Sequence, residues 1–194
     1  GGGINGSYTL KEDAPVGYIP IQLTKPASGN TPDGRYYTYT ANDASIGDVD
    51  GDGNYEIFLK WEPTNAADNS RAGFTGNVYI DCYRLTGERL WRVDLGKNIR
   101  AGAHYTQFLV ADFDSNGKAE MIVRTSDGTR DGLGKVIGDS TADYRENAGA
   151  TSLERSDNMT GRILRGNEYV AVFDGMTGAA LSSTQYIPER GDLN

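Results

Sequence analysis

Two stretches of the sequence place oxygen-bearing side chains at alternate positions around a glycine. The first offers Asp48, Asp50, Asp52, Asn54 and Glu56; the second offers Asp112, Asp114, Asn116, Lys118 and Glu120, at a constant separation of 64 residues. Oxygens so spaced can wrap one cation, and the seventh position gives its backbone carbonyl, so Asn54 and Lys118 are both admissible there. Gly53 and Gly117 fall where such a loop must turn sharply. An EF-hand opens in the same way but closes with a Glu several residues later, between helices. Here the closing acid comes sooner and strand-like segments flank the loop. The pattern predicts two calcium-binding hairpin loops. An all-oxygen set with several carboxylates favours Ca²⁺; there is no Cys/His cluster for zinc, and magnesium keeps its waters and demands octahedral geometry. A metal-free Asp/Gly turn is the plainer reading of one such loop, and the second copy at a fixed offset weighs against it.

The elements that must carry these loops also repeat. Ser45–Lys60 and Leu109–Arg124 each read as an apolar strand, the acidic loop, and a second apolar strand ending in a base. Val78–Trp91 and Tyr169–Leu181 each read as strand, Thr-Gly turn, strand, now 91 residues apart because the segment 125–166 carries an insertion. A Thr-Gly pair marks a tight hairpin in which Gly supplies positive φ. Each unit is thus four strands, the signature of a propeller blade. Two blades are expected, over about 42–95 and 106–187. Since propellers have about 4–8 blades, the expected fold is all-β: a partial arc of β-propeller blades with calcium-binding hairpin loops. Residues 1–41, with Pro15, Pro20, Pro26 and Pro32, read as a lead-in from another domain in which Ile19–Leu23 could add an edge strand. Residues 42–194 read as one domain that belongs to a larger one. The insertion, rich in Gly, Asp and Ser, is too long for a passive turn.

Composition agrees with an all-β class. Gly makes up 26 of 194 residues against a usual share of about 7%, and Tyr and β-branched residues are abundant. The net charge of −8 offers no basic patch for nucleic acid. No run of about 18 apolar residues suggests a membrane span, and the opening Gly1–Ile4 has neither the basic start nor the apolar run of a leader. Cys82 is the only cysteine, so no internal disulfide can form, and its strand-like surroundings predict a packed, inert thiol. Trp61 and Trp91 fit core positions better than sugar-stacking ones. Asp127, before Gly128 at a strand end, could bind a cation, bind substrate or cap a turn.

Several longer strings carry a resemblance. Tyr39–Ser45, Phe58–Pro63, Leu95–Phe108, Thr125–Thr129, Gly134–Asp139 and Ala142–Arg145 resemble those of the rhamnogalacturonan lyases of polysaccharide lyase family 11, over about residues 30–191. The resemblance implies an eight-bladed propeller holding several calcium ions. It implies cleavage of the rhamnogalacturonan-I backbone of pectin by β-elimination, a secreted protein of bacterial type, and a chain far shorter than the family's members. The remaining blades, in the parent chain or another chain, and pectic polysaccharide would be its partners. The alternative is a non-catalytic calcium-stabilised propeller that binds carbohydrate or protein.

Such an elimination needs a cation or Arg/Lys to neutralise the galacturonate carboxylate, and a base for the C5 proton. His104, the only histidine, is the candidate base, with orienting a loop or touching sugar as its other readings. Arg100 is the candidate for the uronate, with a structural salt bridge as its rival. Asn42 and Glu62 match positions associated with sugar binding in the family. Glu62 stands where the family commonly has Asp, which alters the contact it can make. The plainer readings are a turn leading into a strand for Asn42 and a surface carboxylate for Glu62.

Overall fold

A computed structural model describes residues 9, 12–13, 17–102, 104–149 and 159–191. Gly1–Ile4, Ala103 and residues 150–158 of the insertion lie outside the described residues. Twelve strands and no helix are assigned among them, so nothing there is a helix long and apolar enough to cross a membrane. They are β1 (Gly29–Asn30), β2 (Tyr36–Tyr37), β3 (Tyr39–Gly47), β4 (Glu56–Pro63), β5 (Tyr79–Tyr83), β6 (Arg89–Asp94), β7 (Phe108–Ala111), β8 (Glu120–Ser126), β9 (Thr129–Arg130), β10 (Val136–Ile137), β11 (Glu168–Asp174) and β12 (Ala180–Gln185).

The all-β class is as the sequence implies, and so are the two antiparallel units, β3–β6 and β7, β8, β11, β12. Neither sheet closes on itself or on the other. The first is six-stranded rather than four-stranded, in the order β10-β9-β6-β5-β4-β3. Its extra hairpin comes from the insertion: Arg130 pairs with Asp94 at the far edge of β6, so part of 125–166 is sheet rather than loop.

Alternation along the strands sends one face of each sheet into a shared core. Phe58, Ile80, Cys82, Trp91 and Val93 meet Met121, Val123, Ala171 and Phe173, and the rings of Phe58 and Trp91 meet edge-on at 5.5 Å. Both tryptophans are core residues, at 2% and 4% exposure, and Cys82 is wholly buried, which pushes its thiol pKa up. The outer face of the first sheet has a second cluster of Tyr39, Leu59, Trp61 and Tyr83, against which Leu23, Tyr37 and Tyr79 pack.

That cluster corrects the reading of residues 1–41. Ile19–Leu23 forms no strand; the segment lies across the sheet, anchored where the Thr24 N–H donates to the Tyr83 hydroxyl at 3.2 Å and Arg92 Nη2 donates to the Thr24 carbonyl at 2.7 Å. Pro20 has no N–H to give a ladder. The expected boundary at residue 41 falls inside β3. Beneath this cover, buried Asp81 accepts from Trp61 Nε1 at 2.8 Å, from the Tyr83 hydroxyl at 2.7 Å and from Arg92 at 2.6 Å. The outer face of the second sheet has no such cover among the described residues: Ile122, Val170 and Val172 are half-buried and Leu109 is exposed.

Candidate metal centres and saccharide site

Each acidic loop joins two strands of a hairpin, β3 to β4 and β7 to β8. In the first, Asp48 accepts the N–H groups of Gly51 at 2.7 Å and Gly53 at 2.8 Å, and buried Glu56 reaches back to the Val49 N–H at 3.1 Å. The second copies it. Asp112 accepts from Asn116 at 3.0 Å and Gly117 at 2.8 Å, and Glu120 accepts the Phe113 N–H at 2.9 Å. Gly51 and Gly53 hold left-handed backbone at φ 80° and 88°, and Ser115 and Gly117 hold it at 64° and 89°. The loops also touch: the Ala119 N–H donates to the Asp48 carbonyl at 2.7 Å.

Each loop gathers three carboxylates. One oxygen each from Asp48, Asp50 and Glu56, and likewise from Asp112, Asp114 and Glu120, lies within 4.8 Å of the others. Asp52 stands outside its trio and accepts the N–H of Asn54 at 2.7 Å, a bond that lowers its pKa. Asn116 similarly accepts the Lys118 N–H at 2.8 Å. Burial raises the pKa of Glu56, against the pull of the Val49 N–H. The donor set is all oxygen with several carboxylates, which fits a hard divalent cation.

The structure brings together Asn42 and Glu62. A shift in the β3–β4 register between Ala41 and Ala44 turns Asn42 outward, and its Nδ2 donates to Glu62 Oε2 at 2.9 Å on the exposed edge. The same bulge sets Asp43 2.6 Å from Nζ of Lys60, which is only 2% exposed.

His104 is exposed and lines a surface cleft of about 400 Å³ with Thr106, Gln107, Arg124, Val170 and Tyr186. Arg124, not singled out in the sequence, is the cation there, a third exposed and 3.4 Å from Glu168. Its only signal was a basic residue closing the strand after the acidic loop. Asn42, Glu62, Arg100 and Asp127 do not line this cleft.

Arg100 is placed otherwise than expected. It is buried, and its five N–H groups all go to main-chain carbonyls: Nε to Ala67 at 2.7 Å, Nη1 to Gly73 at 2.9 Å and to Gly161, Nη2 to Arg71 at 2.8 Å and Asp68 at 3.3 Å. With all donors used, it neither meets a uronate nor forms a salt bridge; it ties loops together. Burial draws its pKa down to about 10, which leaves it charged at neutral pH.

Asp127 is likewise engaged. It is 2% exposed and accepts from the Tyr144 hydroxyl, from Asn167 at 2.9 Å, from the Tyr169 hydroxyl at 3.0 Å and from the Asp139 N–H at 2.8 Å. Burial raises its pKa, but these donors outweigh burial and leave it lowered. Of the three roles open in the sequence, capping is the one realised. Gly138 permits it, since a Cβ there would lie 1.8 Å from Asp127 Oδ1.

A profile described as "Rhamnogalacturonan lyase family 11, C-terminal domain" matches residues 18–194. Among curated proteins, the chain is 55% identical over 177 residues to rhamnogalacturonan endolyase YesW of Bacillus subtilis (strain 168), covering 91% of this chain and 27% of YesW. It is 55% identical over 175 residues to rhamnogalacturonan exolyase YesX of the same organism, covering 90% and 27%. Among solved structures, that of exotype rhamnogalacturonan lyase YesX superposes with a TM-score of 0.82 at 54% identity, over 90% of this chain and 27% of that one. A Bacillus licheniformis rhamnogalacturonan lyase gives 0.79 at 59% identity, over 89% and 27%. The chain thus spans about a quarter of the length of the curated relatives it matches.

Proposed function

The chain belongs to rhamnogalacturonan lyase family 11, and on that premise we propose that it forms part of a secreted, calcium-dependent lyase that cleaves the rhamnogalacturonan-I backbone of pectin. The observation that carries the saccharide reading is the exposed Asn42–Glu62 pair. An amide and a carboxylate side by side on an open edge present donors and acceptors at the spacing of sugar hydroxyls.

The two four-stranded units, stacked through one core, are read as successive blades of a propeller whose other blades lie elsewhere in the parent protein. Asp48, Asp50 and Glu56, and Asp112, Asp114 and Glu120, would hold calcium with help from Asp52, Asn116 and the carbonyls of Asn54 and Lys118. The ion would neutralise each trio and rigidify its hairpin.

In the elimination, the C5 proton of galacturonate passes to a base, the C5–H electrons form the C4–C5 double bond, and the C4–O4 bond breaks, O4 leaving with rhamnose and taking up a proton. No water is consumed. His104 can take that proton, and Arg124 in the same cleft can face the carboxylate and stabilise the charge that builds on it.

The test mixes the complete protein with rhamnogalacturonan-I and follows ultraviolet absorbance of the unsaturated product. Absorbance should rise, and Asn42→Ala or Glu62→Ala should raise KM several-fold with kcat little changed. His104→Ala should cut kcat by about 10²-fold or more; unchanged turnover removes His104 from the mechanism. Binding with no absorbance change would favour a carbohydrate-binding propeller instead.

A further inference from the structure

The two acidic loops share one backbone but differ in one neighbour. Arg84 lies against the first: its Nη2 is 3.1 Å from Asp50, its Nη1 3.5 Å from Glu56, and its Nε 3.6 Å from Glu88. The hairpin turn fixes it there, since the Arg84 N–H donates to the Glu88 carbonyl and the Gly87 N–H donates to the Arg84 carbonyl, each at 2.9 Å. No Lys or Arg lies within 4 Å of Asp112, Asp114 or Glu120 among the described residues. The repeat explains why. In the second hairpin the ladder position of Arg84 is taken by Asp174: Tyr83 pairs with Ile57, which sets Arg84 opposite Glu56, and Asp174 pairs with Glu120. The Asp174 carboxylate accepts the Thr177 N–H at 2.7 Å and the Thr177 hydroxyl at 2.6 Å within its own turn. The second loop therefore has an acid, not an arginine, opposite its closing glutamate.

Resting on the calcium reading above, we propose that Arg84 is a resident counter-cation of the first loop and makes the two loops unequal calcium sites. The second loop depends on the ion and binds it more tightly. The first keeps its shape without the ion and binds it more weakly, because a guanidinium touching two of its three clustered carboxylates repels an arriving divalent cation. At such distances, in a solvent-exposed site, that repulsion corresponds to about ten-fold in affinity.

Calcium titration of the ¹⁵N-labelled chain tests this, with the amides of Gly53 and Gly117 as separate reporters because each donates to its own loop's first aspartate. Gly117 should reach its midpoint at roughly ten-fold lower calcium than Gly53. Arg84→Gln should bring the Gly53 midpoint down to that of Gly117, while Arg84→Lys should preserve the gap. Arg84→Gln should also lower the melting temperature in chelator yet increase the rise produced by calcium, a reversal that mere loss of a packing contact would not give. Equal midpoints in the native chain, or a gap unmoved by Arg84→Gln, would overturn the proposal and leave the calcium reading standing. No shift of either amide at millimolar calcium would sink both.

Discussion

Arg100 and Asp127 have the side chains that acid–base or uronate chemistry would use, but all their hydrogen bonds are spent inside the protein. Arg100→Met should cost at least about 3 kcal/mol in urea unfolding, since it strands several buried carbonyls that a charged donor now satisfies. A variant of native stability that had lost only activity would contradict the structural assignment. Asp127 has a lowered pKa, so the sign of its pH effect is set. Its carboxylate contributes stability above its unfolded value of about 3.9, and that contribution is lost as pH falls through the folded value. The gap in unfolding midpoint between the native chain and Asp127→Asn should be widest near neutrality and narrow below about pH 4. A gap that stays constant across that range would mean the donors around Asp127 bind its neutral form equally well.

At the scale of elements, the acidic hairpins were legible because their carboxylates are neighbours in sequence: alternation and a fixed offset expose them without any tertiary knowledge. The same holds for the four-stranded units and the buried tryptophans. The roles of Arg100 and Asp127 stayed open in the sequence because the partners that define them, Gly161 for one and Asn167 and Tyr169 for the other, are remote in the chain. The β9–β10 hairpin was missed because strands of two residues carry no period, and the edge strand admitted over Ile19–Leu23 is absent because that segment packs without pairing. The repeat still makes a sharp test. Ser115 occupies the left-handed position that Gly51 holds in the first loop. Ser115→Gly should raise stability by about 0.5–1 kcal/mol, because the left-handed conformation costs a non-glycine residue more than glycine's extra freedom in the unfolded chain returns. Gly51→Ser should lower stability by a similar amount, its Cβ meeting nothing closer than 3.5 Å. Paired thermal melts in chelator read both.

At the scale of the whole molecule, the chain is as similar to an endolyase as to an exolyase, 55% in each case. Overall identity in this quarter of the relatives' length therefore carries no signal about where along a polymer the cut falls. The open outer face of the second sheet has a physical consequence for the chain on its own. Leu109, 63% exposed, and its register neighbours Ile122 and Val172 form an apolar row, and such rows associate when nothing covers them. Sedimentation of the 194-residue chain should show self-association that Leu109→Glu weakens; a monomer at high concentration would show that the row is too narrow to matter. The opposite side of the stack is already covered by the segment that runs over Leu59, Trp61 and Tyr83. Because β3 to β6 precede β7, β8, β11 and β12 in the chain, the sheet that is covered is synthesised ahead of the sheet that is open, and the apolar row is completed only when β11 is made.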